Sequence, residues 1–440
     1  MASEAAVIVP VPAQAGLQSR LADFAFVLFL LLIFVGLQPF APRDPAALVA
    51  GESGFAGAGD VWRQVSYLGV FALVCFAAIR VQGFRALLCL SPIFAALLAW
   101  CALSALWSGA PDVVLRRALL EIVIVMSGMM SVVAVGAQRS LALLCGVLGA
   151  VLIVNWFSIP FVPNAVHLPG EIDPQLVGDW RGLYFHKNIA GSVSALTAIL
   201  FFFRALKTRR LLDWGMFLGA LIFTLMTRSK SSQGLVPVAL AAGCLYAFVW
   251  RRGIDRAILS VGVLLAAVIV GTILIKDSGL MFRALEDPTE FTGRTVIWQA
   301  EVAFIRDHFL LGSGFGSFAD TGAASPLHNY VGAAWVQNIS HGHSAYLQLL
   351  VTIGAVGFLF AMLVFLAGPA RAFWRHDSVR SESIPLLVAI FVFMVLHNFL
   401  ESDFLEGDGP AWVIFVLMLA MLRDLEPLRP RRFLAGSNSR

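Results

Sequence analysis

The sequence is poor in charge. Only 13% of its 440 residues are Asp, Glu, Lys or Arg, against 59% hydrophobic residues and a mean hydropathy of +0.84. A chain of this length cannot hide so much apolar surface in a water-exposed core, which excludes the ordinary soluble globular classes. The net charge is only +4, and the basic residues are scattered between apolar runs, which speaks against a nucleic-acid partner. Cysteine is scarce too. Cys75, Cys89, Cys101, Cys145 and Cys244 are odd in number, lie in or beside apolar runs, and show neither C-x-x-C nor metal-ligand spacing, so they read as small core residues. The opening stretch MASEAAVIVPVPAQAG has no basic segment ahead of a compact apolar one, and no cleaved signal peptide is expected. No internal repeat or low-complexity tract stands out.

What is present is a succession of apolar runs near the length needed to cross about 30 Å of hydrocarbon. Twelve are found: Phe24–Gln38, Val65–Ile79, Leu90–Trp107, Leu115–Val135, Leu141–Phe161, Ile189–Phe203, Trp214–Met226, Leu235–Trp250, Ile258–Ile275, Leu347–Leu366, Leu386–Phe399 and Trp412–Leu422. The segments between them alternate in charge. Arg80 and Arg85, Arg139, Arg204 to Arg210, Arg251 to Arg256, Arg371 to Arg380 and the RPRRF tail form the basic set, which belongs in the cytoplasm. The other set is neutral or acidic and faces outward. The expected architecture is therefore an all-α polytopic integral membrane protein with about 12 transmembrane helices, one large extracytoplasmic loop and both termini cytoplasmic. Its parts are a tail over 1–23, helices one to nine over 24–275, the loop over 276–344, helices ten to twelve over 345–422 and a second tail over 423–440.

One outward segment, TRSKSSQG, breaks the charge rule, because Arg228 and Lys230 stand there without an acid. Either they snorkel to lipid headgroups or they hold an anion. Arg181 and Lys187 in DWRGLYFHKNIAG and Arg294 in TGRTVIW are further outward cations close to spans. Each arginine offers a permanently charged planar fork matched to phosphate oxygens. Within the long loop, Val296, Trp298 to Val302 and Ile305 suit a short amphipathic helix. The following GSGFGS lacks both the dinucleotide spacing and the P-loop lysine, so a nucleotide loop is rejected.

The stretch SHGHSAYLQLLVTIGAVG sets His341 and His343 at the mouth of a span. Ser344 or Ser340 can cap a helix beginning near Ala345, which leaves His343 beside a helix N-terminus that disfavours imidazolium. A neutral ring is the form a general base needs, and activity should fall as His343 takes up a proton. H-x-H also suggests zinc, but weakly without a carboxylate or cysteine partner nearby. Arg117 and Glu121, four residues apart, are expected to pair. Glu401 and Asp403 follow His397 and Asn398 and are candidates to orient a cation.

These residues carry a resemblance. SHGHSAYLQLLVTIGAVG, the upstream block TGRTVIWQAEVAFIRDHFLLGSGFGSF, and the motifs WRGLYFHKNIAG and LHNFLESDFL together resemble the O-antigen ligase and Wzy-type polysaccharide polymerase superfamily, over Trp180 to about Trp412. The departure is Ser344, where that family usually has Asn. The resemblance implies a metal-independent, inverting glycosyltransferase of the bacterial inner membrane, without cofactor, whose site faces the periplasm. A polyprenyl-diphosphate-linked glycan is the donor and a second lipid-linked repeat unit the acceptor. His343 would take the acceptor proton, Arg181, Arg228 and Arg294 would neutralise the diphosphate, Lys187 and Lys230 would assist, and His341, Ser344 and Glu401 would support. Membrane lipid, a chain-length regulator and a flippase of the same pathway are the implied partners. The WRGLYFHKNIAG and ESDFL blocks favour the exopolysaccharide polymerase branch over a ligase that transfers the glycan to lipid A core. A transporter of lipid-linked glycans is the alternative of another class. It would place polar residues along mid-membrane helix breaks, whereas here the reactive residues collect on one face.

Overall fold

A computed structural model describes residues 13–41, 61–171, 174–252, 294–319, 321, 324–330, 342–375 and 383–425. Its helices are α1 (Ala13–Phe34), α2 (Val61–Gln82), α3 (Pro92–Leu103), α4 (Pro111–Val135), α5 (Ala137–Phe161), α6 (Lys187–Thr208), α7 (Leu211–Met226), α8 (Lys230–Arg252), α9 (Arg294–Asp307), α10 (Ala345–Met362), α11 (Gly368–Arg375), α12 (Ile384–His397) and α13 (Pro410–Leu425). Among the described residues there is no sheet, only one isolated antiparallel bridge between Val166 and Trp180. Every expected apolar run except Ile258–Ile275, which lies outside the described residues, falls on a helix. Among the described residues seven helices are long and apolar enough to cross a membrane, and α3, α7 and α12 are shorter apolar helices. α1 begins within the tail expected over 1–23, and α13 runs to Leu425.

Local chemistry sets several helix ends. Pro92 and Pro111 occupy first turns, where no amide hydrogen is needed, and the Ser91 hydroxyl accepts from the Phe94 N–H at 3.2 Å. Gly136, at φ +84°, separates α4 from α5 without a longer loop.

α6 and α13 run through the interior, whereas α2 is mostly uncovered. Small residues make close approach possible along α6, where Gly191, Ser192, Ser194, Ala195, Thr197 and Ala198 are buried. The outer surface carries large apolar side chains such as Leu106, Phe157, Phe161 and Leu211. Leaving each in water forgoes about 1.5–3 kcal/mol, a cost the hydrocarbon of a bilayer removes. The chain is thus a multi-pass membrane protein.

Contacts at the two ends of the bundle differ in kind. At one end Arg139 pairs with Asp23 at 2.9 Å, the Ala137 N–H meets Asp424 at 2.9 Å, and Gln138 meets Ser383 at 3.1 Å. At the other end the irregular segments 162–171, 174–186 and 398–409 and the start of α10 come together.

α10 is broken at Gly354, where φ is +65°. A helix break strands backbone carbonyls, and in an apolar bundle these must be satisfied internally. The glycine-rich segment after α9 does so: the Ser313 N–H donates to Val351 O and the Gly314 N–H to Thr352 O, both at 2.9 Å. Trp100 Nε1 donates to Ile353 O at 3.0 Å, and the Ala355 N–H donates back to Phe309 O at 2.8 Å. GSGFGS is a docking strap for a broken helix.

Candidate active site

The segment between α5 and α6 is folded by its own donors. The Arg181 N–H donates to Ala165 O, the Leu183 N–H to Asn155 Oδ1 of α5, and Trp180 packs against Trp156 and Phe223. Gly182 takes φ +56° with no room for a methyl, because Asn155 fills that space. This turn drives Arg181 inward. It is 1% exposed, and its guanidinium donates to Phe185 O at 3.0 Å.

His186 then caps α6, its Nδ1 accepting from the Asn188 N–H at 3.1 Å. His167 Nε2 accepts from the Lys187 N–H at 3.2 Å, which leaves the proton on Nδ1 to meet Glu171 at 2.6 Å. Burial pushes the Glu171 carboxyl upward. The hydrogen bonds from His167 and the Leu168 N–H, with the charges of His167 and Arg181, more than offset it and hold Glu171 below the usual carboxylate range.

Asp179 sits beneath this segment, 1% exposed, and takes two of the expected cations. Lys187 Nζ reaches it at 2.6 Å and Arg228 at 3.1 Å. Arg228 belongs to the tight turn between α7 and α8, at φ +50°, with 67% of its side chain exposed. A fork so exposed keeps donors for a further anion while Asp179 fixes its direction. Lys230 opens α8 and is exposed.

Glu401 joins four elements. Asn188 of α6 donates to Glu401 Oε1 at 3.1 Å, Ser231 of α8 approaches the same oxygen at 3.4 Å, and His343 Nδ1 lies 3.5 Å from Oε2. The Ala345 N–H, at the head of α10, donates to the carbonyls of Asn398 and Glu401 at 2.9 and 3.0 Å. Behind Glu401, His397 is locked between Asp403, 2.7 Å from Nδ1, and Ser232, 3.2 Å from Nε2. Asn398 Oδ1 accepts the N–H groups of Asp403 and Phe404. The carboxylate opposite His343 therefore stands on a built support.

The expected N-terminus of α10 is met: Ser344 is the cap residue and Ala345 the first helical one, although the hydroxyl makes no capping bond. His343 itself lies at φ +53°, in the left-handed region. His341 and the side chain of Arg294 lie outside the described residues; Arg294 is the first residue of α9. Among the described residues no group of three or more His, Cys, Asp or Glu side chains is arranged to hold a metal. The structure thus brings His343 to Glu401, and Lys187 and Arg228 to Asp179, with Asn188 and Ser231 linking the two neighbourhoods.

One expected pair does not form. Glu121 does not bond Arg117. It accepts from Trp412 Nε1 at 2.7 Å and from the Gly407 N–H at 2.9 Å, while the Arg117 guanidinium goes to Gly316 O. Four-residue spacing makes a helical pair reachable, but two donors from 407–412 satisfy this buried carboxyl better. Asp179, Asn188, Ser231 and Ser232 were not singled out as site residues in the sequence; Asp403, a candidate to orient a cation, instead holds His397. The one signal for Asp179 was its position just before Trp180-Arg181. Ser231 and Asn188 gave none, since their importance comes from which helix ends meet.

Residues 214–362 match a family model described as O-antigen ligase, and the match supports membership of the O-antigen ligase/Wzy superfamily. It spans Arg228, Lys230, Arg294, His341, His343 and Ser344, but not Arg181, Lys187 or Glu401. No curated protein matches the chain.

Proposed function

From membership of a superfamily of glycosyltransferase-like enzymes, we propose that this protein polymerises polyprenyl-diphosphate-linked oligosaccharide repeat units on the periplasmic face of the bacterial inner membrane. The observation that carries the reading is the meeting of His343 with Glu401 at the helix ends that also hold Lys187 and Arg228 on Asp179. A base and a fixed cationic surface at one end of an apolar bundle suit an acceptor hydroxyl and a lipid diphosphate leaving group.

In the proposed reaction the acceptor hydroxyl oxygen attacks the anomeric carbon of the donor glycan from the face opposite the diphosphate. Its proton passes to His343, whose imidazolium is stabilised by Glu401. The bond from the anomeric carbon to the phosphate oxygen breaks, and its electron pair leaves with the polyprenyl diphosphate. Arg228 and Arg294, with Lys187 and Lys230, neutralise the developing charge. Arg181, buried behind them, adds positive potential and shapes the turn that carries Lys187. Arginine and lysine supply the charge neutralisation, which makes the proposed reaction metal-independent, and the single displacement from the opposite face makes it inverting. A flippase and a chain-length regulator are the partners this reading expects.

The test compares polymer and lipid-linked intermediates in membranes of producing cells carrying wild type or His343→Ala at matched protein level. The expected result is loss of high-mass polysaccharide, at least about a hundredfold, with single repeats accumulating on the lipid carrier. Full-length polymer from the variant would refute His343 as the base. Full-length polymer retained on the lipid carrier, with lipid A core left unsubstituted, would assign the ligase reaction instead.

A further inference from the structure

We propose that Glu301 is a positioning residue for His343: held as a neutral carboxylic acid beneath the Gly342–His343 corner, it fixes the backbone that aims the imidazole, and its ionisation displaces that corner. The inference rests on the reading of His343 as the base. It concerns a carboxyl that the mechanism above does not use.

Glu301 lies on α9 and is fully buried, with neither carboxyl oxygen hydrogen-bonded among the described residues. Its surroundings are apolar: Ile297, Ala300 and Phe304 of the same helix pack with Phe318, Leu327 and Val351. An ionised carboxylate without a partner in such a place costs far more than a neutral one, so the group keeps its proton. Burial alone pushes the Glu301 carboxyl up to about 8. Among the described side chains, the titratable and charged groups of α9 and the elements packed around it are Arg306, Asp307 and His308 at its end, His328 and Tyr330 in the turn after the strap, His343 and Tyr346 at the head of α10, and Glu401 against His343; Arg294 opens α9 two turns before Glu301. None of them contributes to that displacement.

The carboxyl is aimed at Gly342. A methyl group built on Gly342 would run into both Glu301 oxygens. One turn back on the same face of α9, Trp298 Nε1 donates to Gly342 O at 2.9 Å. Residues 298 and 301 together therefore seat Gly342, and the next residue is His343 in its left-handed conformation. On the far side the chain is clamped by the Ala345 N–H on Asn398 O and Glu401 O. His343 and Ser344 span the corner between the seat on Glu301 and the clamp at Ala345, and His343 faces Glu401. A negative charge on Glu301 would require water or a cation to enter this contact, and the corner one residue from the imidazole would have to move.

The sign follows from the raised value. The neutral acid is present below about pH 8, and the carboxylate forms as pH rises through it. Raising pH should therefore reduce the rate, by about tenfold per unit once the carboxylate predominates. Glu301→Gln keeps shape and neutrality at every pH. Polymer formation is measured in membranes from producing cells across this range for wild type, Glu301→Gln, Gly342→Ala and His343→Ala at matched protein level.

The expected result is that Glu301→Gln keeps the neutral-pH rate within about threefold and loses the alkaline limb seen in wild type. Gly342→Ala should lose at least about tenfold, and the double variant Gly342→Ala/Glu301→Ala should recover most of that loss, because the added methyl then fills the space the carboxyl leaves. An unchanged alkaline limb in Glu301→Gln overturns the proposal. So does an active Gly342→Ala single variant. Should Glu301→Gln fail to accumulate, the Gly342 pair decides the matter through its recovery or lack of it. Full activity in His343→Ala would instead refute the base reading while leaving the Glu301 titration measurable by the same pH comparison.

Discussion

Two site residues carry backbone strain. His343 and Arg228 are non-glycine residues at φ +53° and +50°, a conformation that costs about 1–2 kcal/mol each. Such a cost persists only where surrounding bonds hold it. For His343 those bonds are the Ala345 N–H contacts and the seat on α9; for Arg228 they are Asp179 and its own N–H on Leu225 O. Glu401 is where residue-scale function is most concentrated, since it faces His343 and also receives Asn188. Glu401→Gln keeps an oxygen able to accept from Asn188 but removes the charge that stabilises an imidazolium. The expected outcome is a fall in polymer of about tenfold or more with protein level within twofold of wild type, read by immunoblot and polysaccharide gel. Normal polymer would remove Glu401 from the catalytic arrangement.

Among elements, the segment from Ala165 to Lys187 does the most positioning for its size. It contains no long helix, yet it carries Asp179, Arg181 and the cap of α6. Asp179 is its ionic attachment to the α7–α8 turn, beside the Trp180 N–H, which donates to Met226 O at 3.2 Å. Replacing Asp179 by Asn leaves Lys187 largely buried without a counter-charge, at a cost on the order of 3 kcal/mol. Arg228 adds little to this sum because water screens most of its side chain. Purified Asp179→Asn protein in detergent should show a clearly lower thermal midpoint, and an unchanged midpoint would mean that the ion pairs do not secure the segment.

Helix existence and the start of α10 were legible in the sequence, because long apolar runs and a Ser before an apolar stretch are local signals. The strap on the break of α10 was not. Gly312 to Ser317 carried an unusual glycine pattern, but its partner carbonyls, on Val351 and Thr352, lie some forty residues on.

At the scale of the whole molecule, the reactive side chains gather at one end of the bundle and the Arg139–Asp23 and Asp424 contacts mark the other. By the excess of Lys and Arg in alternate segments, the topology we propose has the first end in the periplasm and the second in the cytoplasm. Single cysteines at the exposed positions Glu406 and Arg209, in a protein whose own cysteines are replaced by Ala, test this directly. A membrane-impermeant thiol reagent added to intact spheroplasts should label the cysteine at 406 and not the one at 209. Labelling in the reverse pattern would invert the topology and put the site on the wrong side for a lipid-linked glycan already carried outward.

The sequence by itself determined that this is a helical membrane protein, which way its charge bias points, and which arginines and histidines were candidates for chemistry. Each of these follows from composition or from neighbours within a few positions of one another. Only the tertiary structure decided that Glu401 faces His343, that Asp179 gathers Lys187 and Arg228, that Glu121 serves Trp412 rather than Arg117, and that Glu301 lies under Gly342. The physical reason is that a buried polar group must find its partner among whatever helix ends packing brings to it. That choice is made in space between residues far apart along the chain, where no local pattern records it.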